Sequence, residues 1–270
     1  MDYQNLILTT KSVREYKKDS IESQTLKEIK DYALTCPKID SSIAFEVRIL
    51  SNSEAFLTLD GIAGYQGNMI DAPHYIVILS EKKGYYIENA AYIGESMILK
   101  ALEIGIASCW ISFHSSVKER LNLLSDKEVV ALIALGYDAN APKKGTAVSF
   151  ADYKLGIDEI VYIDKWGNGA DASILEERGL LEAFMFSKLA PSTLNKQSWR
   201  FLLTSGKVIL AMKKEKNVSD YEQKIDAGII MLFFQLIVSS TLFDLKWNLE
   251  QPVDFLQIPK EFEIIAYCML

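Results

Sequence analysis

The run Asn89-Ala-Ala-Tyr-Ile-Gly-Glu-Ser-Met-Ile-Leu-Lys-Ala-Leu-Glu-Ile-Gly-Ile-Ala-Ser-Cys-Trp110 has a counterpart later in the chain. It is Asp226-Ala-Gly-Ile-Ile-Met-Leu-Phe-Phe-Gln-Leu-Ile-Val-Ser-Ser-Thr-Leu-Phe-Asp-Leu-Lys-Trp247. In both, a tryptophan stands 21 positions after a polar Asn or Asp. Apolar positions at Ile87, Ala90, Ala91, Gly94, Met97, Ile98, Ala101 and Leu102 recur at helical spacing, so each run reads as a long helix followed by a strand.

Working outward, each long helix is preceded by a shorter helix and strands, and each tryptophan is followed by one more strand. The first half offers a helix at Ser23 to Leu34 and strands at Phe45 to Ser51, Tyr75 to Leu79 and Val129 to Gly136. The second offers a helix at Leu180 to Leu189, ended by Pro191, and strands at Arg200 to Thr204, Lys207 to Met212 and Phe262 to Cys268. Ser205-Gly206 marks a hairpin between the middle two. The fold class is α+β, a duplicated unit whose halves, packed face to face, would imitate a two-fold dimer within one chain. Glycine, asparagine and aspartate cluster in Asp164 to Asp171, which places the boundary between halves there, giving 1–165 and 166–270.

Composition narrows the function. The 270 residues carry a net charge of −7 with 49% apolar positions, as expected of a folded globular protein. An acidic chain without a basic stripe argues against a nucleic-acid surface. Cys36, Cys109 and Cys268 are far apart and in no Cys-x-x-Cys pair, so they read as reduced thiols of a cytoplasmic protein. His74 and His114 are too few and too distant for a metal cluster. The uncharged stretch Ala227 to Phe243 lies at the lower limit for a membrane span and holds Gln235, Ser239, Ser240 and Thr241, so we expect a helix buried on all sides. Met1 to Lys18 lacks the apolar core of a secretory signal. Trp110, Trp199 and Trp247 are expected to pack, and Cys109 to act as a small buried hydrophobe.

Two polar segments carry the chemistry. Lys11-Ser12-Val13-Arg14-Glu15-Tyr16 offers a point charge, a planar fork and a hydroxyl, a set that binds phosphate in charge-assisted hydrogen bonds. Ala190-Pro-Ser-Thr-Leu-Asn-Lys-Gln-Ser-Trp199 is a donor-rich turn between a helix and a strand. Together they resemble motifs of the nitroreductase family of FMN-binding oxidoreductases, Arg-Arg-Ser-Val/Ile-Arg-x-Phe/Tyr and Ala-Pro-Ser-x-x-Asn-x-Gln-Pro-Trp. Gly105 to Phe113 and Val129 to Tyr137 are similar to two further family segments. A fused tandem subgroup of that family shares this chain organisation.

The resemblance implies bound FMN reduced by NADH or NADPH and an electron-poor organic acceptor such as a quinone or nitro compound. It implies that Lys11, Ser12 and Arg14 hold the phosphate and ribityl chain, with Lys143 or Lys144 as a second cation. Backbone N–H groups of Ile111, Ser112 and Phe113 would face flavin N5. Tyr65 and Asn68 would meet the polar edge of the ring, and Pro191, Ser192 and Asn195 the other side of the flavin. No side-chain acid or base is assigned, because the cofactor carries the chemistry. A monomer acting as a pseudo-dimer is expected. Thr10 stands where the family has its first Arg, Ser198 where it has Pro, and Ser112-Phe113 where it has small glycines. The alternative is a flavin- or ligand-binding protein without turnover. A second flavin site would need the phosphate cluster again in Gly167 to Glu177, which holds no Lys or Arg, and the turn again in Thr35 to Asp40, which lacks the Ser and Asn donors; one flavin per chain is expected.

Overall fold

The computed structural model describes residues 1–65, 67–141, 154–250 and 257–270. These form two compact units, one holding residue 1 and the described residues from 9 to 141, the other residues 2–8 and those from 154 onward. Most of helix α1 (Tyr3–Thr9) is thus counted with the second unit.

The first unit runs α2 (Ser23–Thr35), β1 (Phe45–Ser51), α3 (Asn52–Leu59), β2 (Ala63–Gly64), β3 (His74–Ser80), α4 (Tyr86–Glu103), β4 (Ala107–Trp110), β5 (Ser112–Phe113), α5 (Val117–Arg120) and β6 (Glu128–Gly136). Its four-stranded antiparallel sheet has the order β1-β3-β6-β4. Every residue of β3 is buried, because both faces of the sheet are covered. Tyr75, Val77 and Leu79 join Leu132 and Ala134 of β6 in a core with Ala55 and Leu59 of α3 and Val117 of α5. The opposite face meets α4, 14 of whose 18 residues are buried. That helix comes close to the sheet at Gly94, where an added Cβ would lie 2.8 Å from Trp110 Cη2 and 3.3 Å from Ile133 Cδ1. Gly94→Ala is therefore expected to destabilise the unit by about 2 kcal/mol, since the indole cannot withdraw from a filled core without strain; the shift in urea midpoint measures it.

The second unit runs α6 (Ile157–Ile160), β7 (Val161–Ile163), α7 (Ala172–Glu177), α8 (Leu181–Ser187), β8 (Trp199–Thr204), β9 (Lys207–Lys213), α9 (Asp220–Thr241) and β10 (Phe262–Met269). Phe184 of α8, Phe201 of β8 and Phe234 of α9 pack with ring centroids 5.0 to 5.5 Å apart, and Trp247 adds to Phe234 at 5.7 Å. The apolar stretch expected as a helix buried on all sides, Ala227 to Phe243, falls on α9 as far as Thr241; Ile225 to Val238 are inside apart from Gln235, whereas Ser239 to Phe243 are exposed, so the expectation fails at its C-terminal end. By length and composition α9 could cross a membrane, but the core of this unit accounts for its apolar side chains.

The duplication is visible unit by unit. The order α2-β1-β3-α4-β6 matches α8-β8-β9-α9-β10, and in each sheet the three strands are neighbours in that order. Trp110 ends β4, which pairs antiparallel with β6; Trp247 precedes Asn248, which bridges antiparallel to Tyr267 of β10. The polar residue that opens each repeat does the same work. Asn89 Oδ1 accepts the backbone N–H groups of Ile39 and Asp40 at 3.0 and 3.1 Å, and Asp226 accepts that of Thr193 at 3.0 Å.

The passage between units differs from the expected boundary at Asp164 to Asp171. Strand β7 already belongs to the second unit, because it pairs in parallel with β8. The Gly- and Asn-rich stretch is a tight turn after it, with Gly167 at φ 84° and the Ile163 N–H donated to the Asn168 carbonyl at 2.9 Å.

Candidate functional site

In the first unit the phosphate-type cluster is fixed to the sheet. Ser12 bridges in parallel to Ser108 of β4, and Val13 N–H donates to the Ser108 carbonyl at 2.9 Å. Four residues on, Lys17 N–H donates to Tyr137 at 2.8 Å and Ala139 N–H to Glu15 at 3.0 Å. Val13 is an apolar peg, whereas Lys11, Ser12 and Arg14 remain exposed. Tyr16 is buried two residues beyond, and burial pushes the pKa of its phenol far above the ordinary value.

The two cations differ. Lys11 Nζ is 2.5 Å from Asp138 Oδ2. Burial raises the Asp138 pKa, but hydrogen bonds from Lys11 and the Asn140 N–H outweigh it and leave the carboxyl below its usual range. That pair is close to neutral toward an incoming anion. Arg14 lies 5.3 Å from the centroid of the Tyr65 ring, in a cation–π contact that leaves the rim of its N–H donors unused by the ring. Among the described residues no carboxylate is within ion-pair distance of Arg14.

Tyr65 and Asn68 are held in a small hairpin by reciprocal backbone hydrogen bonds of 3.0 Å each. Gly64, at φ 116°, makes that closure possible: a Cβ there would lie 1.9 Å from the Asn68 carbonyl oxygen. Gly64 pairs with Ser112 and Ala63 with Phe113 across β2 and β5. One neighbourhood of the first unit thus contains Arg14, Tyr65, Asn68, Ser112 and Phe113, with Ser12 two residues from Arg14. The role expected of the Ile111 N–H needs correcting, since it donates to the Leu132 carbonyl at 2.9 Å and is consumed by the sheet. Cys109 is buried beside this segment, and burial pushes its thiol up, as suits a packing residue. Lys143 and Lys144 lie outside the described residues.

Pro191, Ser192 and Asn195 belong to the second unit, on a turn with three non-glycine residues in the left-handed region: Leu194 at φ 51°, Asn195 at 53° and Gln197 at 49°. Such strain persists only where the surroundings hold it. Both carboxylate oxygens of Asp226 accept the Thr193 N–H at 3.0 Å, and Oδ1 also accepts the Thr193 hydroxyl at 3.1 Å. Ser192 Oγ accepts the Gln197 N–H at 3.0 Å. Lys154 Nζ donates to the Ala190 carbonyl at 2.7 Å and to Asn195 Oδ1 at 3.3 Å. Burial pushes Asp226 up to about 7 against the Thr193 hydrogen bonds, and it lowers Lys154 to about 8 against the charge of Asp226.

Sequence reading missed Lys154, Asp138 and the structural part played by Asp226. Lys154 precedes Leu155-Gly156 without any local pattern, and its partners are 36 and 41 residues away. In chemical terms, the first unit presents an arginine without a carboxylate partner among the described residues, a serine and an exposed aromatic ring at a rigid strand edge, a set that suits a phosphorylated planar ligand. Among the described residues no group of His, Cys, Asp and Glu could hold a metal ion.

Residues 3–238 match the profile of a protein family described as "Putative TM nitroreductase". Among solved structures, the chain is similar to a Thermotoga maritima protein described as a "putative nitroreductase", at 16% identity and TM-score 0.61, covering 100% of this chain and 93% of that one. It is also similar over 63% of its length to a nitroreductase family protein from Clostridium novyi NT (25% identity, 97% of that chain, TM-score 0.46). A nitroreductase with bound FMN from Bacteroides fragilis aligns with 56% of this chain and 96% of its own (19% identity, TM-score 0.45). No curated protein matches.

Proposed function

The chain belongs to the nitroreductase family, and on that premise we propose that it is an FMN-dependent oxidoreductase, one flavin per chain, using NADH or NADPH to reduce a nitro compound, a quinone or a similar acceptor. The observation that carries the reading is Arg14: exposed, stacked on Tyr65 and without a carboxylate partner among the described residues, it is available to an anion.

The residues present fit the group. Arg14 and Ser12 would bind the phosphate and ribityl hydroxyls, and Lys11 would add its donors while sharing its charge with Asp138. Tyr65 and Asn68 would lie toward the polar edge of the ring, and Ser112 and Phe113 beside it. FMN, when bound, supplies two-electron hydride chemistry between nicotinamide and acceptor. The chain's part is to bind, orient and screen. The Tyr65 ring restrains the Arg14 side chain before the anion arrives, which lowers the entropic cost of binding. Phe113 narrows the approach and excludes water, favouring flat acceptors over bulky ones. Protons come from solvent.

A single flavin follows from the degraded second copy. Gly167 to Glu177 carries Asp171, Glu176 and Glu177 and no cation, and Asp171 is occupied as the N-cap of α7. In the first unit, the turn after α2 has its Ile39 and Asp40 N–H groups taken by Asn89. Whether Pro191, Ser192 and Asn195 also touch the flavin is tested by Asn195→Ala, which then raises the FMN dissociation constant about ten-fold, the worth of one hydrogen bond to a polar edge. Three unpaired, buried thiols support a cytoplasmic setting, and the duplicated organisation supports action as a monomer.

Steady-state oxidation of NADH and NADPH, with menadione or a nitroaromatic as acceptor, tests the activity. The proposal expects turnover that requires both acceptor and bound flavin. Retained flavin without turnover would point to a binding protein instead.

A further inference from the structure

Glu95 stands in the middle of α4 at 1% exposure, with no cation among its hydrogen-bonding partners. Its Oε2 accepts the indole Nε1–H of Trp110 at 2.7 Å, and its Oε1 has no hydrogen-bond partner among the described residues. A buried carboxyl group satisfied on only one oxygen is costly, so its presence needs a reason. The neighbouring Gly94 completes a socket for the same indole, which packs where a Cβ would otherwise stand. Gly94 and Glu95 together therefore fix the plane and the polar edge of Trp110. Trp110 is the last residue of β4, and Ile111, Ser112 and Phe113 follow it directly.

The second copy supplies the control. Its tryptophan, Trp247, donates its indole N–H to the backbone carbonyl of Met231 at 3.0 Å. By the repeat that aligns Asn89 with Asp226, Met231 corresponds to Gly94 and Leu232 to Glu95. This fold can thus anchor the tryptophan with a main-chain acceptor and an apolar neighbour. The carboxyl occurs only in the copy whose tryptophan leads into the Ser112-Phe113 strand.

We propose that Glu95 is a positioning residue: through Trp110 it sets the path of Ile111 to Phe113, and thereby the shape of the wall that flavin and acceptor meet. This rests on the flavin reading given above. Burial pushes Glu95 up to about 7 against the Trp110 hydrogen bond, so acid and carboxylate are both populated near neutral pH; in either form an oxygen accepts the indole N–H, an acceptor that the amide oxygen of Glu95→Gln keeps and Glu95→Leu removes.

The test combines a readout that needs no flavin with two that do. The Trp110 indole N–H resonance in a nitrogen-15 spectrum, assigned by its loss in Trp110→Phe, is expected to move upfield in E95L and to stay in place in E95Q. In the flavin-loaded enzyme, E95L is expected to shift the visible absorption band of the flavin and to lower kcat/KM for menadione about ten-fold, as small misplacements at a reacting centre do, with E95Q restoring both. W110F should match E95L, and the double variant should add nothing further; if E95L does not fold, W110F makes the same cut from the other side. An unmoved indole in E95L, additive effects, or a moved indole with unchanged spectrum and kinetics each overturns the proposal. A wild-type protein that cannot bind FMN overturns the flavin reading and this role with it, whereas flavin-loaded wild type beside an indifferent E95L overturns this role alone.

Discussion

Replacing Arg14 with Glu is expected to leave the purified protein unable to retain FMN, with the dissociation constant raised at least about 100-fold. The removed guanidinium is an exposed cation without a carboxylate partner among the described residues, so its donors are available to a phosphate. Two charge-assisted hydrogen bonds are worth roughly 3 kcal/mol, or about two decades of affinity, and reversal of the charge adds repulsion. Lys11 cannot compensate fully, because its ammonium is already engaged by Asp138. Arg14→Lys should lose about ten-fold, a point charge having replaced a fork. The fold should be untouched, since Arg14 is exposed while its neighbour Val13 supplies the packing. Equilibrium dialysis with FMN, alongside a thermal melt, separates the two effects, and wild-type affinity in R14E would move the phosphate site elsewhere.

The largest effect on stability is expected at Asp226. Asp226→Ala leaves the N–H and hydroxyl of Thr193 without their acceptor in a turn that also holds three left-handed residues, and should cost about 3 kcal/mol. Asp226→Asn should cost under about 1 kcal/mol, since Asn89 already performs the equivalent task with an amide in the other unit. The pH dependence has a definite sign. Burial raises the Asp226 pKa from 3.8 to about 7, so between those values the folded state keeps a proton that the unfolded state has released. The stability contributed by the protonated group is complete below about pH 4 and is lost as pH rises through about 7. Between pH 5 and pH 8, wild type should therefore lose about 2 kcal/mol relative to D226N. Urea titrations of both proteins at the two pH values measure this. A difference independent of pH would mean that Asp226 is ionised throughout.

How much of this was legible in the sequence depends on how far apart the partners lie. Helices and strands follow local periodicity, and the repeat that joins Asn89 with Asp226 and Trp110 with Trp247 indicated the helix and strands that the two units share; that Asn89 and Asp226 each accept loop N–H groups was not legible. Strand β7 was not legible. Three residues, Val161 to Ile163, carry too little pattern, and their parallel pairing with β8 reaches 40 residues ahead. For the candidate site, the residue types at Lys11, Ser12 and Arg14 were visible, but their charge state was not. The pairing of Lys11 with Asp138 spans 127 residues, and nothing in a local motif signals that one of two cations is spent. The same holds for the Ile111 N–H, donated across the sheet to Leu132, and for Glu95, which sits amid a helical pattern in which a carboxylate would ordinarily face water. Substrate approach depends on Ser112 and Phe113, where the chain departs from the family motif, and there sequence indicates only bulk.

The most direct test of the account is to saturate the pure protein with FMN, remove the excess, release what is bound by denaturation and compare it with protein concentration. One equivalent per chain, lost on introducing R14E, is the predicted result. Two equivalents would show that the degraded copy still binds, and none would remove the basis for an FMN-dependent oxidoreductase.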